Sequence, residues 1–247
     1  MTVAQAGSQA GRLALEDAGI TGQDIGLLVN TSVSRDYLEP ATAAIVAGEI
    51  GVSSKCQTFD VTNACLAFIN GMDVASRMIE QGEIEHALVV NGEAADTVYQ
   101  KTLERLSHPD ILTQDFRDQM AALTLGSGAV AMVLSHRNTN PLAHRYLGGV
   151  TRSATKWHNL CLGNLDRMYT DTKNLMIEGM RLASKTISVF QEERKVTLDE
   201  FDHFVVHQIS NPHIQLFMKT FCIPSEKVFT LFDKHGNLGP AGVPTVL

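Results

Sequence analysis

An amphipathic helix feeding a short apolar strand occurs twice in this chain, far apart, and that recurrence constrains its fold more than any other feature. Laying Ile20-Thr21 on Val196-Thr197 brings Ile25 onto Phe201 and Leu28-Val29 onto Phe204-Val205. A separate alignment lays Pro40-Ala41 on Pro240-Ala241, so each strand is followed by a helix of small residues that starts at proline. Units of this kind bury their apolar faces only in layers, which predicts an α/β protein built from two related halves, 1–140 and 141–247. The second copy is preceded by a predicted strand over 145–155, whereas the first opens directly on its helix. The first copy also continues through further strands, while the second stops at Leu247 within the matching helix. A chain truncated at both ends is the expectation, lacking a leading strand in one half and closing strands in the other.

Periodicity places the remaining elements. Residues 4–18 predict a helix stopped by Gly19, 25–31 a buried strand, 40–49 a helix, 56–61 a strand, 65–81 a helix and 86–91 a strand. Residues 94–123 carry many charges and no clean period, which predicts a surface excursion serving as a lid or dimer contact, before a strand over 128–134. In the second half a long helix over 171–193 leads into a strand over 202–207.

Composition excludes several classes of function. With 20 basic against 27 acidic side chains and a net charge of −7, the 247-residue chain has no electrostatic footprint for nucleic acid. No apolar run approaches the roughly 18 residues of a membrane span, and the first residues do not form a signal-peptide core, so the cytoplasm is the expected compartment. Cys56, Cys65, Cys161 and Cys222 have neither metal-ligand spacing nor the density of a disulfide scaffold, and are expected to be reduced thiols.

One of those cysteines has a special setting. Cys65 lies in Asp60-Val-Thr-Asn-Ala-Cys65-Leu-Ala-Phe-Ile-Asn-Gly71, read as strand, turn and the first residue of a helix. Helix N-terminal amides and the positive end of the dipole stabilise a thiolate, and the same amides can hold an oxyanion. The other three cysteines lack this setting and read as structural. His207 follows the apolar run Phe204-Val205-Val206 and should emerge at the carboxyl end of a strand, where open α/β sheets place their ligands. Asn237, in the turn His235-Gly236-Asn237-Leu-Gly239-Pro240, adds a neutral donor. A thiol, an imidazole and an amide together suit acyl transfer with stabilisation of an enolate or thioester oxygen.

In that order, Asp60–Gly71, His207-Gln208 and Gly236-Asn237 resemble the nucleophile, His-Gln and Gly-Asn motifs of the thiolase-fold condensing enzymes of the ketoacyl synthase III branch. Gly126-Ser127-Gly128-Ala129 resembles the glycine turn that precedes a core strand in that family. The resemblance runs from the first helix to Leu247 and implies a thiolase-like five-layered αβαβα fold. It also implies that the family's N-terminal strand, its CoA-contacting segment and its closing strands are missing. Within the branch, Arg35-Asp36-Tyr37-Leu38-Glu39-Pro40 resembles the members that join two long-chain acyl-CoAs head to head in olefin biosynthesis. There a glutamate matching Glu39 reaches into the partner subunit of a homodimer and serves as base.

A base is chemically required for such a reaction. Decarboxylating synthases make their carbanion by losing carbon dioxide, but a non-decarboxylating condensation must remove an α-proton and stabilise the enolate as it forms. Glu39 is assigned the first task, and His207 with Asn237 the second. The implied substrates are acyl-CoA thioesters, with no metal, no resident cofactor, no nucleic acid and no membrane span. Three other readings are open. An initiating synthase would use acetyl-CoA and a malonyl carrier protein, a hydroxymethylglutaryl-CoA synthase fits the motif contexts less well, and a catalytically silent subunit would only bind acyl chains.

Overall fold

The computed structural model describes residues 1–164 and 166–247. Its contacts divide the chain into two compact units, one of Met1–Ala94, Gly126–Leu147 and Leu238–Leu247, the other of Ala95–Leu125 and Gly148–Asn237.

The first unit opens with helix α1 (Val3–Ala18), whose start is fixed by a reciprocal cap in which Thr2 accepts from the Gln5 amide and Gln5 accepts from the Thr2 amide. The helix stops where Gly19 turns left-handed, as the sequence predicts. Strands β1 (Leu27–Asn30), β2 (Gln57–Asp60), β3 (His86–Glu93) and β4 (Gly128–Ser135) form one sheet in the order β2-β1-β3-β4. The first three run parallel and β4 runs antiparallel to β3. Helices α2 (Thr42–Ile50) and α3 (Ala67–Glu80) complete the layers.

Strand alternation sorts the core. Leu28, Leu88 and Val90 pack with Ala4 and Leu15 of α1 and Ala43 and Val46 of α2. Leu27, Val29, Ala87 and Val89 point the other way, onto Phe68, Met72, Ala75 and Ile79 of α3. Every residue of β3 is buried, as expected of a central strand covered on both faces. Helix α1 crosses so close to β3 that a Cβ on Gly92 would lie 2.4 Å from the Val3 carbonyl oxygen, so glycine alone fits there.

The second unit contains α4 (Asp96–Leu106) and α5 (Thr113–Gln119), the hairpin of β5 (Cys161–Gly163) and β6 (Met168–Thr170), α6 (Thr172–Arg194) and α7 (Asn211–Phe221). Asp171 caps α6 through the Asn174 amide, and Ser210 caps α7 through the His213 amide. Ile214, Ile223 and Val228 form its apolar centre, with Phe204, Val206 and Phe217 around them.

Three local expectations change. The stretch over 94–123 holds two helices, not an irregular excursion. No strand forms over 145–155, and the strand expected over 202–207 is reduced to a single bridge between Phe204 and Val228. An apolar run becomes a strand only where a second segment supplies a ladder of backbone bonds.

Candidate active site

Cys65 and Glu39 belong to the first unit, and His207 and Asn237 to the second. At the end of β2, the Asp60 carboxylate accepts from the Thr42 and Ala43 amides at 3.1 and 2.8 Å and from Asn30 Nδ2 at 3.2 Å. One side chain thereby ties β1, β2 and the start of α2 together, and fixes the point from which the Cys65 turn departs.

The turn itself is strained. Ala64 is left-handed at φ 43°, a conformation that costs a non-glycine residue about 1–2 kcal/mol. It is held by Leu66 N donating to the Asn63 carbonyl, Ala67 N donating to the Ala64 carbonyl, and Asn63 Nδ2 donating to Asn70 Oδ1 at 2.7 Å. Such strain persists where the surroundings over-determine it, and it gathers at functional positions. Helix α3 begins at Ala67 with Leu66 as its cap, so Cys65 precedes the helix by two residues instead of being its first residue. Leu66 has no side-chain acceptor, which leaves the dipole at that end uncompensated by its cap. Cys65 is half-buried, whereas Cys161 and Cys222 are exposed. Burial pushes the Cys56 thiol up in pKa, in keeping with a structural role.

Glu39 is exposed on the segment between β1 and α2, beside Tyr37 and Leu38, which are 62% and 87% exposed. The base of this segment is anchored twice. Asp36 accepts from the Val3 and Ala4 amides at 3.0 and 2.9 Å, capping α1, and Glu93 accepts from the Val33 and Ser34 amides at 2.7 and 3.1 Å.

In the second unit, both ring nitrogens of His207 are buried without a hydrogen-bond partner among the described residues, although the residue as a whole keeps some accessible surface. Burial, and secondarily His213, pushes its pKa down to about 4. The imidazole is therefore neutral at pH 7 and able to donate or accept. Gln208 next to it is a clamp: Oε1 accepts from the Leu231 and Phe232 amides at 2.7 and 3.0 Å, and Nε2 donates to the Phe229 carbonyl at 2.9 Å. Asn237 is buried and its amide donates to the Thr124 carbonyl at 2.8 Å. The preceding Gly236, at φ 68° and ψ −160°, occupies a region open essentially to glycine alone, which explains the Gly-Asn pair.

Sequence reasoning missed Glu93 and the clamping role of Gln208. The available signal for Glu93 was a carboxylate closing the apolar run His86-Ala-Leu-Val-Val-Asn-Gly-Glu93. Among the described residues no group of three or more His, Cys, Asp or Glu could hold a metal ion.

Comparison with known proteins identifies the family. Residues 59–148 match the 3-oxoacyl-[acyl-carrier-protein] synthase III family and residues 191–247 match the C-terminal part of that family. An acyl-CoA:acyl-CoA alkyltransferase of Xanthomonas campestris is 59% identical over 242 residues, covering 98% of this chain and 72% of the relative. One from Shewanella oneidensis is 34% identical, covering 95% and 70%. A β-ketoacyl-[acyl-carrier-protein] synthase III of Neisseria meningitidis is 26% identical, covering 97% and 72%. Crystal structures of Xanthomonas campestris OleA superpose with a TM-score of 0.98 over the whole of this chain, one with cerulenin bound at 58% identity and another with lauric acid and lauroyl-CoA at 57%. They extend beyond it, the chain covering 72% and 73% of their respective lengths. The thiolase-like α/β fold implied by the motifs is thus the fold observed. The chain belongs to the acyl-CoA:acyl-CoA alkyltransferase (OleA) family, within the ketoacyl synthase III branch of the thiolase-fold condensing enzymes.

Proposed function

We propose that this protein is an acyltransferase that condenses two long-chain acyl-CoA thioesters head to head without decarboxylation. Cys65 attacks the first thioester, forming the acyl-enzyme and releasing CoA. Glu39 of the partner subunit in a homodimer removes the α-proton of the second acyl-CoA, and its enolate carbon attacks the acyl-enzyme carbonyl. The Cys65 sulfur leaves, regaining its proton from solvent or the protonated Glu39. A 2-alkyl-3-oxoacyl-CoA results, released as such or hydrolysed to the acid. His207 and Asn237 hold the enolate oxygen, a role suited to a neutral imidazole and an amide. These steps call for no metal or redox cofactor. The proposal keeps the two related halves, 1–140 and 141–247, with α6 and the segment leading to His207 repeating the order of α1 and β1.

The observation that carries this reading is Glu39, an exposed carboxylate flanked by exposed Tyr37 and Leu38 on a doubly anchored segment. A decarboxylating synthase needs no such base. That second reading draws on the synthase III family match, and a requirement for malonyl thioester would decide for it.

Glu39→Gln tests the assignment. The amide keeps the size of the side chain but cannot take the α-proton, and loss of a general base commonly costs about 10²- to 10⁴-fold. Condensation of a saturated long-chain acyl-CoA should fall by that order, while peptide mass mapping still finds the acyl group on Cys65. Mixing Glu39→Gln with Cys65→Ala subunits, with heterodimer formation checked separately, should restore condensation. Condensation at the unmutated rate in Glu39→Gln, or an adduct on Cys161 or Cys222 with Cys65 unmodified, overturns the proposal.

A further inference from the structure

Beyond the end of β1 the chain is still laced to β3, by one more backbone bond and then by side chains. Thr31 donates its amide to the Val90 carbonyl at 2.8 Å and its hydroxyl to the same oxygen at 3.0 Å. Ser32 Oγ accepts from the Gly92 amide at 2.9 Å. Glu93 then replaces the backbone ladder entirely. Its Oε1 accepts from the Val33 amide at 2.7 Å and from Asn91 Nδ2 at 3.2 Å, and its Oε2 accepts from the Ser34 amide at 3.1 Å and Ser34 Oγ at 2.8 Å.

A carboxylate only 9% exposed is an expensive way to end a strand, and burial pushes its pKa upward. Four donors converge on it in compensation, two of them consecutive amides of the segment that leads to Glu39. Two adjacent N–H groups on the two oxygens of one carboxylate fix both the position and the rotation of that segment as it leaves the sheet. Neither Glu93 nor its donors belong to the thiol, imidazole and amide assigned above.

We propose that Glu93 is the positioning residue for the base, clamping Val33 and Ser34 so that the segment delivers Glu39 in a fixed direction, and that condensation depends on this clamp whereas acyl transfer to Cys65 does not. The inference rests on the reading of Glu39 as the base.

The test is Glu93→Gln, which puts an N–H group where one of the two backbone amides needs an acceptor. Acylation of Cys65 by a long-chain acyl-CoA is followed in single turnover by intact mass, and condensation of the same substrate in steady state. Condensation is expected to fall about 10- to 100-fold, the scale of a misplacement near 1 Å, with the acylation rate unchanged. Hydrogen exchange in peptides covering 33–39 should quicken. Ser34→Ala cuts one contact from the other side and should lower condensation by a smaller factor. The double variant should be no worse than Glu93→Gln, because the two act as a unit. Unchanged condensation, an equal fall in both steps, or additive losses would overturn the proposal. Should Glu93→Gln fail to fold, unchanged condensation in Ser34→Ala would overturn it. Glu39→Gln, run alongside, separates the two ideas. If it abolishes condensation while Glu93→Gln does not, only the clamp is wrong; if it condenses at the unmutated rate, the base assignment falls and the clamp with it.

Discussion

Replacing Asp60 by alanine should loosen the strand-to-turn junction that carries Cys65, and the loss can be built from its contacts. The carboxylate accepts from two α2 amides, at 3.1 and 2.8 Å, and from Asn30 Nδ2 at 3.2 Å. Ala41, at the cap position of α2, makes no side-chain bond of its own, so nothing local replaces Asp60. Loss of a helix cap costs about 0.5–2 kcal/mol, and leaving a buried donor unpaired costs about 1–3 kcal/mol. Asn30 is 1% exposed, so its amide nitrogen falls in the second class. Together these give about 1.5–5 kcal/mol. A shift of about 2–4 °C per kcal/mol for a chain of this size corresponds to a midpoint lowered by roughly 3–20 °C. Asp60→Asn is the informative control. Its remaining oxygen can keep the bonds to Ala43 and Asn30 while the new NH₂ opposes the Thr42 amide, so it should lose about half as much. Urea unfolding followed by far-UV circular dichroism gives the free energies, and the rate of Cys65 acylation reports on the junction. A loss below about 0.5 kcal/mol for Asp60→Ala, the range of a surface substitution, would refute the argument.

Two further outcomes follow from the geometry. Burial holds the His207 pKa down to about 4 in the folded chain, against the ordinary 6.5 of an exposed imidazole, so on acidification the unfolded chain binds the extra proton. Its contribution to stability is complete above about pH 6.5 and is lost as pH falls toward 4, an effect on the order of 3 kcal/mol that should be absent from the pH–stability profile of His207→Gln. Gly92→Ala should destabilise by about 1–3 kcal/mol in the same urea assay, because the added Cβ would sit 2.4 Å from the Val3 carbonyl oxygen and backbone must move; full stability would mean that α1 does not pack against β3 so closely.

Local signals in the sequence determined the elements of the first unit and the order of its motifs. Periodicity located α1, β1 and β3, because each carries its own spacing of apolar residues, and Gly19 marked where α1 stops. The Gly236-Asn237 pair was legible for the same reason, because a glycine-only backbone leaves its mark on the residue at that spot, whereas the left-handed Ala64 before Cys65 carries no such mark and shows only in the fold. Whatever depended on a distant partner was not legible. The apolar run before His207 reads as a strand, yet it meets a single bridge at Val228, since a ladder is decided by the second segment and not by the first. The neutrality of His207 required burial that no local pattern reports. Glu93 reads as one more charged residue until the fold carries Val33 and Ser34, about sixty residues earlier in the chain, onto its two oxygens. Conformation is written into the residues that adopt it, whereas burial and hydrogen-bond partnership belong to pairs, and only the tertiary structure brings the pairs together.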